Sequence, residues 1–404
     1  MELVLNNGIK LIYKKSMSKL TSISISIDAG ACKEKEILGL AHVTEHMVYK
    51  GTKKRTEEVI NKELSNNFAF QNAMTNFPYV IYYGTMLNDD FEKAVDLFSD
   101  IIINPTFKEE GFFEEMSVIK EELREWDEEL DQFCEDKLFL NSFQNRRIKY
   151  PIIGRMDDLD IITLSHIKDF YNKNYKPKNT SIAVISSLNI EEVKLIIEKY
   201  FNEWENNVDT NEEHISYDIE NFNAFNDIKE GTKLCKVEII FPIDSLSYNE
   251  LKALRIFNEY FGEGVNSLLF DNLRTKNGLV YDVLTKIAYE KYIKLYKIIF
   301  STSKENLNKS LDIIRECLEK IKDSNLNIKD EDLNNYIKSI KLKRLFREEQ
   351  NIILAKELST YTTMFGSYKI YDKELEDLDK IRKDEILEVS KKVLSSKSIQ
   401  IISN

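Results

Sequence analysis

The sequence predicts an α+β chain built as two halves on one plan. Three observations carry that expectation. Short strands with period-two alternation stand among longer amphipathic helices, and much of the first half's element order returns about 215 residues later. A polar, acidic stretch without apolar periodicity, residues 206–227, separates the halves. The expected division is an N-terminal domain over 1–205, a linker over 206–227 and a C-terminal domain over 228–404.

The first half opens with a hairpin pattern from Leu3 to Tyr13 around Asn7-Gly8. Ile23, Ile25 and Ile27 alternate as in a strand, and a short helix bearing His42 and His46 follows, with Gly51 placed to cap it. A helix near Glu57–Leu64 precedes strands over Ala69–Thr75 and Pro78–Leu87. Helices are expected over Asp90–Ile102, Lys108–Leu140, Leu164–Asn174 and Ile190–Phe201, with a strand at Ser181–Ile185. In the second half Leu234–Phe241, Leu295–Thr302 and Ser398–Ile402 match the first-half strands at residues 23–27, 80–85 and 181–185.

Composition excludes several classes of function. The chain has 404 residues, is 42% hydrophobic and 31% charged, and reads as globular. It has no run of 18 apolar residues, which argues against a membrane span, and its first residues lack a secretory signal. A net charge of −12 argues against a nucleic-acid surface and suits a neutral or basic peptide. Cys32, Cys134, Cys235 and Cys317 have no C-x-x-C spacing and read as reduced thiols of a cytoplasmic protein.

Two of the four histidines lie in His42-Val43-Thr44-Glu45-His46. On a helix, residues four apart share a face, so both imidazoles reach one point, as two zinc ligands must. Glu45 lies beside that point, free to polarise a metal-bound water. This is the H-x-x-E-H order, the inverse of the commoner H-E-x-x-H signature. The plain alternative is a pair of surface histidines.

A zinc site needs a third protein ligand. In the helix beginning near Lys108, Phe112, Met116, Ile119, Leu123, Trp126, Leu130 and Phe133 form a continuous apolar stripe. Glu114 and Glu121 lie farthest from the stripe and should face water, whereas Glu115 and Glu122 flank it, two turns apart on one face. Glu122 is therefore the better inward-facing ligand.

The stretch from Gly39 to Thr52, with Val118-Ile119-Lys120-Glu121-Glu122 ending at Glu122, 76 residues beyond His46, resembles the signature of the pitrilysin-like zinc peptidases. The resemblance extends along nearly the whole chain. It implies one Zn²⁺ per chain held by His42, His46 and Glu122, with Glu45 as general base and Glu115 as a second acidic residue supporting the site. It also implies that Arg274 and Tyr281, just after Gly262-Glu263-Gly264, reach the substrate: the tyrosine donates to the developing oxyanion and the arginine holds the peptide backbone. Asn72-Ala73 falls on the edge strand to which relatives add a peptide as an extra strand. Two departures stand out. The family's fuller glycine loop and its Ser-Arg-Leu are replaced by Gly264-Val265-Asn266-Ser267-Leu268-Leu269, and its paired glycines before Asn-Ala are absent here.

The fold so implied is two α/β-sandwich halves, each a mainly antiparallel sheet covered by helices, pairing into a clamshell dimer. Arg274 and Tyr281 would then act on the partner's zinc site. The partner is expected to be a second copy or a related chain, and the substrate an unfolded or leader-type polypeptide. The rival reading is a non-catalytic subunit or peptide-binding scaffold, although such chains typically lose a ligand or the glutamate and this one keeps all four residues.

Overall fold

The computed structural model of the chain describes residues 1–205, 222–323 and 328–404. The first half runs β1 (Glu2–Val4), β2 (Lys10–Lys15), β3 (Leu20–Ile27), α1 (Leu40–Met47), α2 (Glu57–Asn67), β4 (Phe70–Thr75) and β5 (Val80–Leu87). Helices α3 (Phe91–Ile103), α4 (Phe112–Glu128), α5 (Leu130–Ser142), α6 (Met156–Ile161) and α7 (Leu164–Asn174) follow, then β6 (Thr180–Ser186) and α8 (Ile190–Phe201). The second half has β7 (Ala224–Ile228), β8 (Cys235–Pro242), α9 (Tyr248–Phe261), α10 (Leu268–Phe270), β9 (Val280–Tyr289) and β10 (Lys294–Thr302). It closes with α11 (Leu307–Asp323), α12 (Asp330–Glu348), α13 (Asn351–Phe365), α14 (Lys369–Lys373), α15 (Lys383–Val393) and β11 (Ser398–Ser403).

The strands form two sheets of one design. The first has the order β1-β2-β6-β3-β5-β4 and the second β7-β11-β8-β10-β9. In the first, only β2 and β6 pair in parallel, and in the second only β7 and β11. Among the described residues, the edge strands β4 and β9 have a neighbouring strand on one side only, the arrangement to which a further strand can add.

The chain packs as two compact units that do not follow the expected boundaries at 205 and 228. One unit comprises 1–124, 150–205 and 346–372, and the other comprises 125–149, the described residues of 222–345, and 373–404. The two halves exchange a helix. In the first unit α13, from late in the chain, packs on β3, β6 and β5; in the second α5, from early in the chain, packs on β11, β8 and β7. This explains why β3 is buried on both faces, against the simple alternation that Ile23, Ile25 and Ile27 suggest. Its serine face meets α13, where Ser24 and Ser359 hydroxyls share a 2.8 Å hydrogen bond and Thr363 donates to the Ser26 carbonyl at 3.3 Å.

Two further expectations need correction. Residues 206–221 of the expected linker lie outside the described residues, but its end, 224–227, is part of β7 and belongs to the second sheet. The long helix expected over Lys108–Leu140 is two helices. It begins only at Phe112, after the left-handed Gly111 (φ 83°), and breaks at Glu129, whose backbone is extended (φ −68°, ψ 111°). Phe112, Met116, Ile119 and Leu123 are buried as the stripe requires, but the break re-aims the next segment. There Cys134, Leu138 and Phe139 are buried, Phe133 is only half-buried, and the Trp126 indole donates to Asp136 at 2.8 Å.

Candidate metal centre

Helix α1 starts where Gly39 takes a left-handed conformation (φ 86°), and a Cβ there would lie 2.5 Å from the Ile153 carbonyl oxygen. Only glycine fits. Carboxylates meet amides at the start of α1: the first-turn Ala41 N–H donates to Glu34 at 2.8 Å, and the N–H of Leu38, just before the cap, donates to Asp158 at 3.4 Å. The helix gives way at Val48–Lys50 to a 3₁₀ turn ending at Gly51 (φ 123°), so the expected glycine stop closes that turn and not the α-helix itself. All of α1 except Leu40 and His46 is buried.

On this rigid element His42 and His46 share a face, their rings edge to face with centroids 4.5 Å apart. Helix α4 brings Glu122 opposite them. Its carboxylate oxygens lie 3.6 Å from His42 Nε2 and 3.7 Å from His46 Nε2. Among the described residues this is the one group of three histidine, cysteine or carboxylate side chains whose ligand atoms all fall within 4.8 Å. The two imidazole–carboxylate separations lie a few tenths of an ångström beyond the roughly 3.3–3.4 Å expected between zinc ligands. Burial, then the neighbouring His46, holds His42 down to about 3, so its imidazole is neutral at any ordinary pH, as a ligand must be. Its Nδ1 is buried with no hydrogen-bond partner among the described residues. Two imidazoles and one carboxylate form a donor set that fits catalytic zinc.

His46 is oriented from behind. Burial works against its charged form, but the Glu115 hydrogen bond and the surrounding carboxylates outweigh this and raise its pKa. Glu115 accepts from His46 Nδ1 at 2.7 Å, leaving Nε2 to face Glu122. The other Glu115 oxygen pairs with Lys50, which also donates to Glu57 at 2.8 Å. Burial pushes the Glu115 carboxyl up, but His46 and Lys50 overcome it and hold the group below its ordinary value. This carboxylate–histidine arrangement fixes both the tautomer and the ring orientation. Glu114 and Glu121 are exposed, as their place on the helix predicts.

Glu45 is fully enclosed beside the ligands. Thr75 Oγ1 donates to its Oε2 at 2.7 Å. Desolvation is the largest influence on this carboxyl and raises its pKa, which His46 and Thr75 moderate. A carboxylate raised in this way is a better proton acceptor near neutral pH than an exposed one. Sequence reasoning missed two residues of this site. Lys50 follows His46 by four positions, a spacing that carried the signal; Thr75 had none, because only the fold brings β4 under α1.

Thr75 ends the same edge strand that carries Asn72 and Ala73. Asn72 is exposed and Ala73 half-buried, and the Ala73 N–H donates to Asn72 Oδ1 at 2.9 Å. Arg274 and Tyr281 belong to the second unit, where they meet each other: the guanidinium lies 4.8 Å from the centre of the Tyr281 ring, and Tyr281, on the edge strand β9, is 83% exposed.

The comparisons with known proteins point one way. Residues 10–155 match the family model described as insulinase (peptidase family M16), and residues 162–340 match the one described as the peptidase M16 inactive domain. The chain is similar to an uncharacterized zinc protease of Rickettsia felis, 24% identical over 397 residues, which are 97% of this chain and 94% of that protein. A zinc protease of Bacillus subtilis is 22% identical over 383 residues, 94% of this chain and 92% of that protein. The mitochondrial-processing peptidase subunit beta of Dictyostelium discoideum is 31% identical over 201 residues, 49% of this chain and 43% of that protein. In fold, the chain matches a protease from Helicobacter pylori with a TM-score of 0.89 at 20% identity, covering 100% of this chain and 99% of the other.

Proposed function

The chain belongs to the pitrilysin-like M16 peptidase family, and on that premise we propose that it is a zinc endopeptidase whose centre is His42, His46, Glu122 and Glu45. The observation that carries this reading is a buried carboxylate with a raised pKa beside three converging ligand atoms. Zinc bound there supplies a Lewis acid for the scissile carbonyl and lowers the pKa of water toward neutrality. The Glu45 carboxylate takes the proton of the attacking water and hands it to the leaving amine. Thr75 holds that carboxylate in place, and Glu115 keeps the His46 ring turned toward Glu122.

The substrate is an extended polypeptide, an unfolded or leader-type segment, that adds along the free edge of β4 at Asn72 and Ala73. Arg274 and Tyr281 serve the zinc site of a partner chain in a clamshell homodimer, or in a dimer with a related chain, with Tyr281 as oxyanion donor and Arg274 as backbone clamp. The exposure of Tyr281 and its contact with Arg274 favour this assignment. The compartment is the cytoplasm, which agrees with four free cysteines and with no described helix being long and apolar enough to cross a membrane.

The test is bound zinc by elemental analysis together with hydrolysis of a quenched peptide, on wild type and Glu45→Gln. One zinc per chain is expected in both proteins, with activity lower in the variant by about 10²–10⁴-fold. Zinc in neither protein, or hydrolysis that survives the substitution, overturns this reading; zinc in both with hydrolysis in neither favours a peptide-binding scaffold.

A further inference from the structure

Helix α12 ends on a face that no other described residue covers. Leu342, Leu345 and Phe346 are 62%, 61% and 71% exposed, an unusual density of large apolar side chains on one turn of a well-formed helix. The start of the helix is anchored, with Ile337 buried and Leu333, Tyr336 and Ile340 packed against the second unit's core, so the exposed end is held and not frayed. Residues 338–347 carry five basic residues and no acidic one, in a chain of net charge −12. Lys343, Arg344 and Arg347 are paired with Glu259, Glu374 and Glu357, whereas Lys338 and Lys341 are exposed and make no ion pair among the described residues.

The complementary surface is on the same chain. Helix α4 carries seven acidic against two basic residues, and its outward side exposes Phe113 (70%) and Val118 (54%) among Glu114, Glu121 and Glu125. The two helices hold matching places in the repeat, each followed directly by the helix that the halves exchange. One is acidic with exposed Phe and Val, and the other is basic with exposed Leu and Phe.

We infer that the exposed end of α12 docks on the acidic face of α4 in a second copy of this chain, an inference that rests on the dimer reading above and gives it an interface. Every copy carries both faces, so a pair related by a two-fold axis makes the contact twice, in an isologous interface that closes. The apolar side chains supply the buried centre, and the lysines and glutamates fix which face meets which.

Charge reversal tests this on the full chain. Sedimentation velocity is run over a concentration range on wild type, on Lys338→Glu with Lys341→Glu, on Glu114→Lys with Glu125→Lys, and on a 1:1 mixture of the two variants. All four positions are exposed, so folding is not at stake, and circular dichroism checks it. Wild type is expected to dimerise, and each variant alone to do so at least ~10-fold more weakly, because like charges then face each other twice. The mixture is expected to recover the dimer, since both of its contacts are again opposite in charge. A monomeric wild type, variants that dimerise as wild type does, or a mixture that stays monomeric overturns the inference. A dimer behaving as expected in a protein that binds no zinc leaves this interface standing and removes only the peptidase reading.

Discussion

The two units share a sheet and differ in what they bury. Apart from the extra edge strand β1 of the first sheet, strand order, the single parallel pair and the covering helix taken from the other half of the chain are the same in both. In the first unit the helix after the third strand in sequence, α1, presents His42 and His46 toward Glu122. In the second the helix after the equivalent strand, α9, presents Phe257 and Phe261 at the same four-residue spacing, fully buried and stacked with ring centroids 5.0 Å apart. One sheet plan thus carries a histidine pair on an 8-residue helix in one unit and an aromatic core pair at the same spacing on a 14-residue helix in the other. The second half's match to a model described as inactive agrees with this.

The exchanged helices differ as well. Helix α13 docks on the first sheet through Leu354, Ala355 and Leu358, with the Ser24–Ser359 hydrogen bond beside them. Helix α5 buries Cys134, Leu138 and Phe139 but also docks on the second through charge. Lys297, buried on β10, pairs with Glu135 of α5 and with Glu238 at 3.0 Å, while Lys236 reaches Asp131 at 2.7 Å and Asn141 donates to Gln400 at 2.9 Å. Apolar docking tolerates loss of one polar contact, and charged docking does not. The largest effect should therefore come from Lys297→Met, which strands two carboxylates and should cost about 3–5 kcal/mol in chemical denaturation. A cost below 1 kcal/mol would break the distinction between the two helices.

Glu115→Gln probes the unit that carries the proposed metal site. It weakens the hold on His46 without removing a ligand, so zinc affinity measured by chelator competition should fall about 10–100-fold with the fold unchanged. An unaltered affinity would mean that His46 needs no such support.

Asp136, on α5, gives a smaller and pH-dependent effect. Burial raises its carboxyl to about 6 from the ordinary 3.8, even though Trp126 and Gln132 donate to it. A group raised on folding contributes stability that is fully present below its unfolded value and lost as pH rises through its folded value. Stability should thus decline between about pH 4 and pH 6 on this account. Asp136→Asn should remove that decline and be the more stable protein at pH 7.5 by about 1–2 kcal/mol, a figure reduced for residual solvation. Equal melting temperatures for the two proteins at pH 7.5 would refute it. Ser359→Ala, at the apolar docking site, should cost the least, about 1 kcal/mol.

The sequence alone pointed to most of the elements and to the candidate ligands. Alternation and helical periodicity are local consequences of side chains meeting a core, so β3, α1, α8 and the repeat of strands were legible without coordinates. So was the choice of Glu122 over Glu121, because Glu122 flanks the stripe of Phe112, Met116, Ile119 and Leu123 that must face inward, and Glu121 lies opposite it. Tertiary structure decided what depends on contacts between distant segments. The exchange of α5 and α13, the break at Glu129 and the burial of the serine face of β3 follow from how elements cover one another, which no periodicity within one element encodes. Thr75 reaches Glu45 for the same reason: thirty residues separate them in the chain, and only the packing of β4 under α1 brings a hydroxyl to within 2.7 Å of that carboxylate.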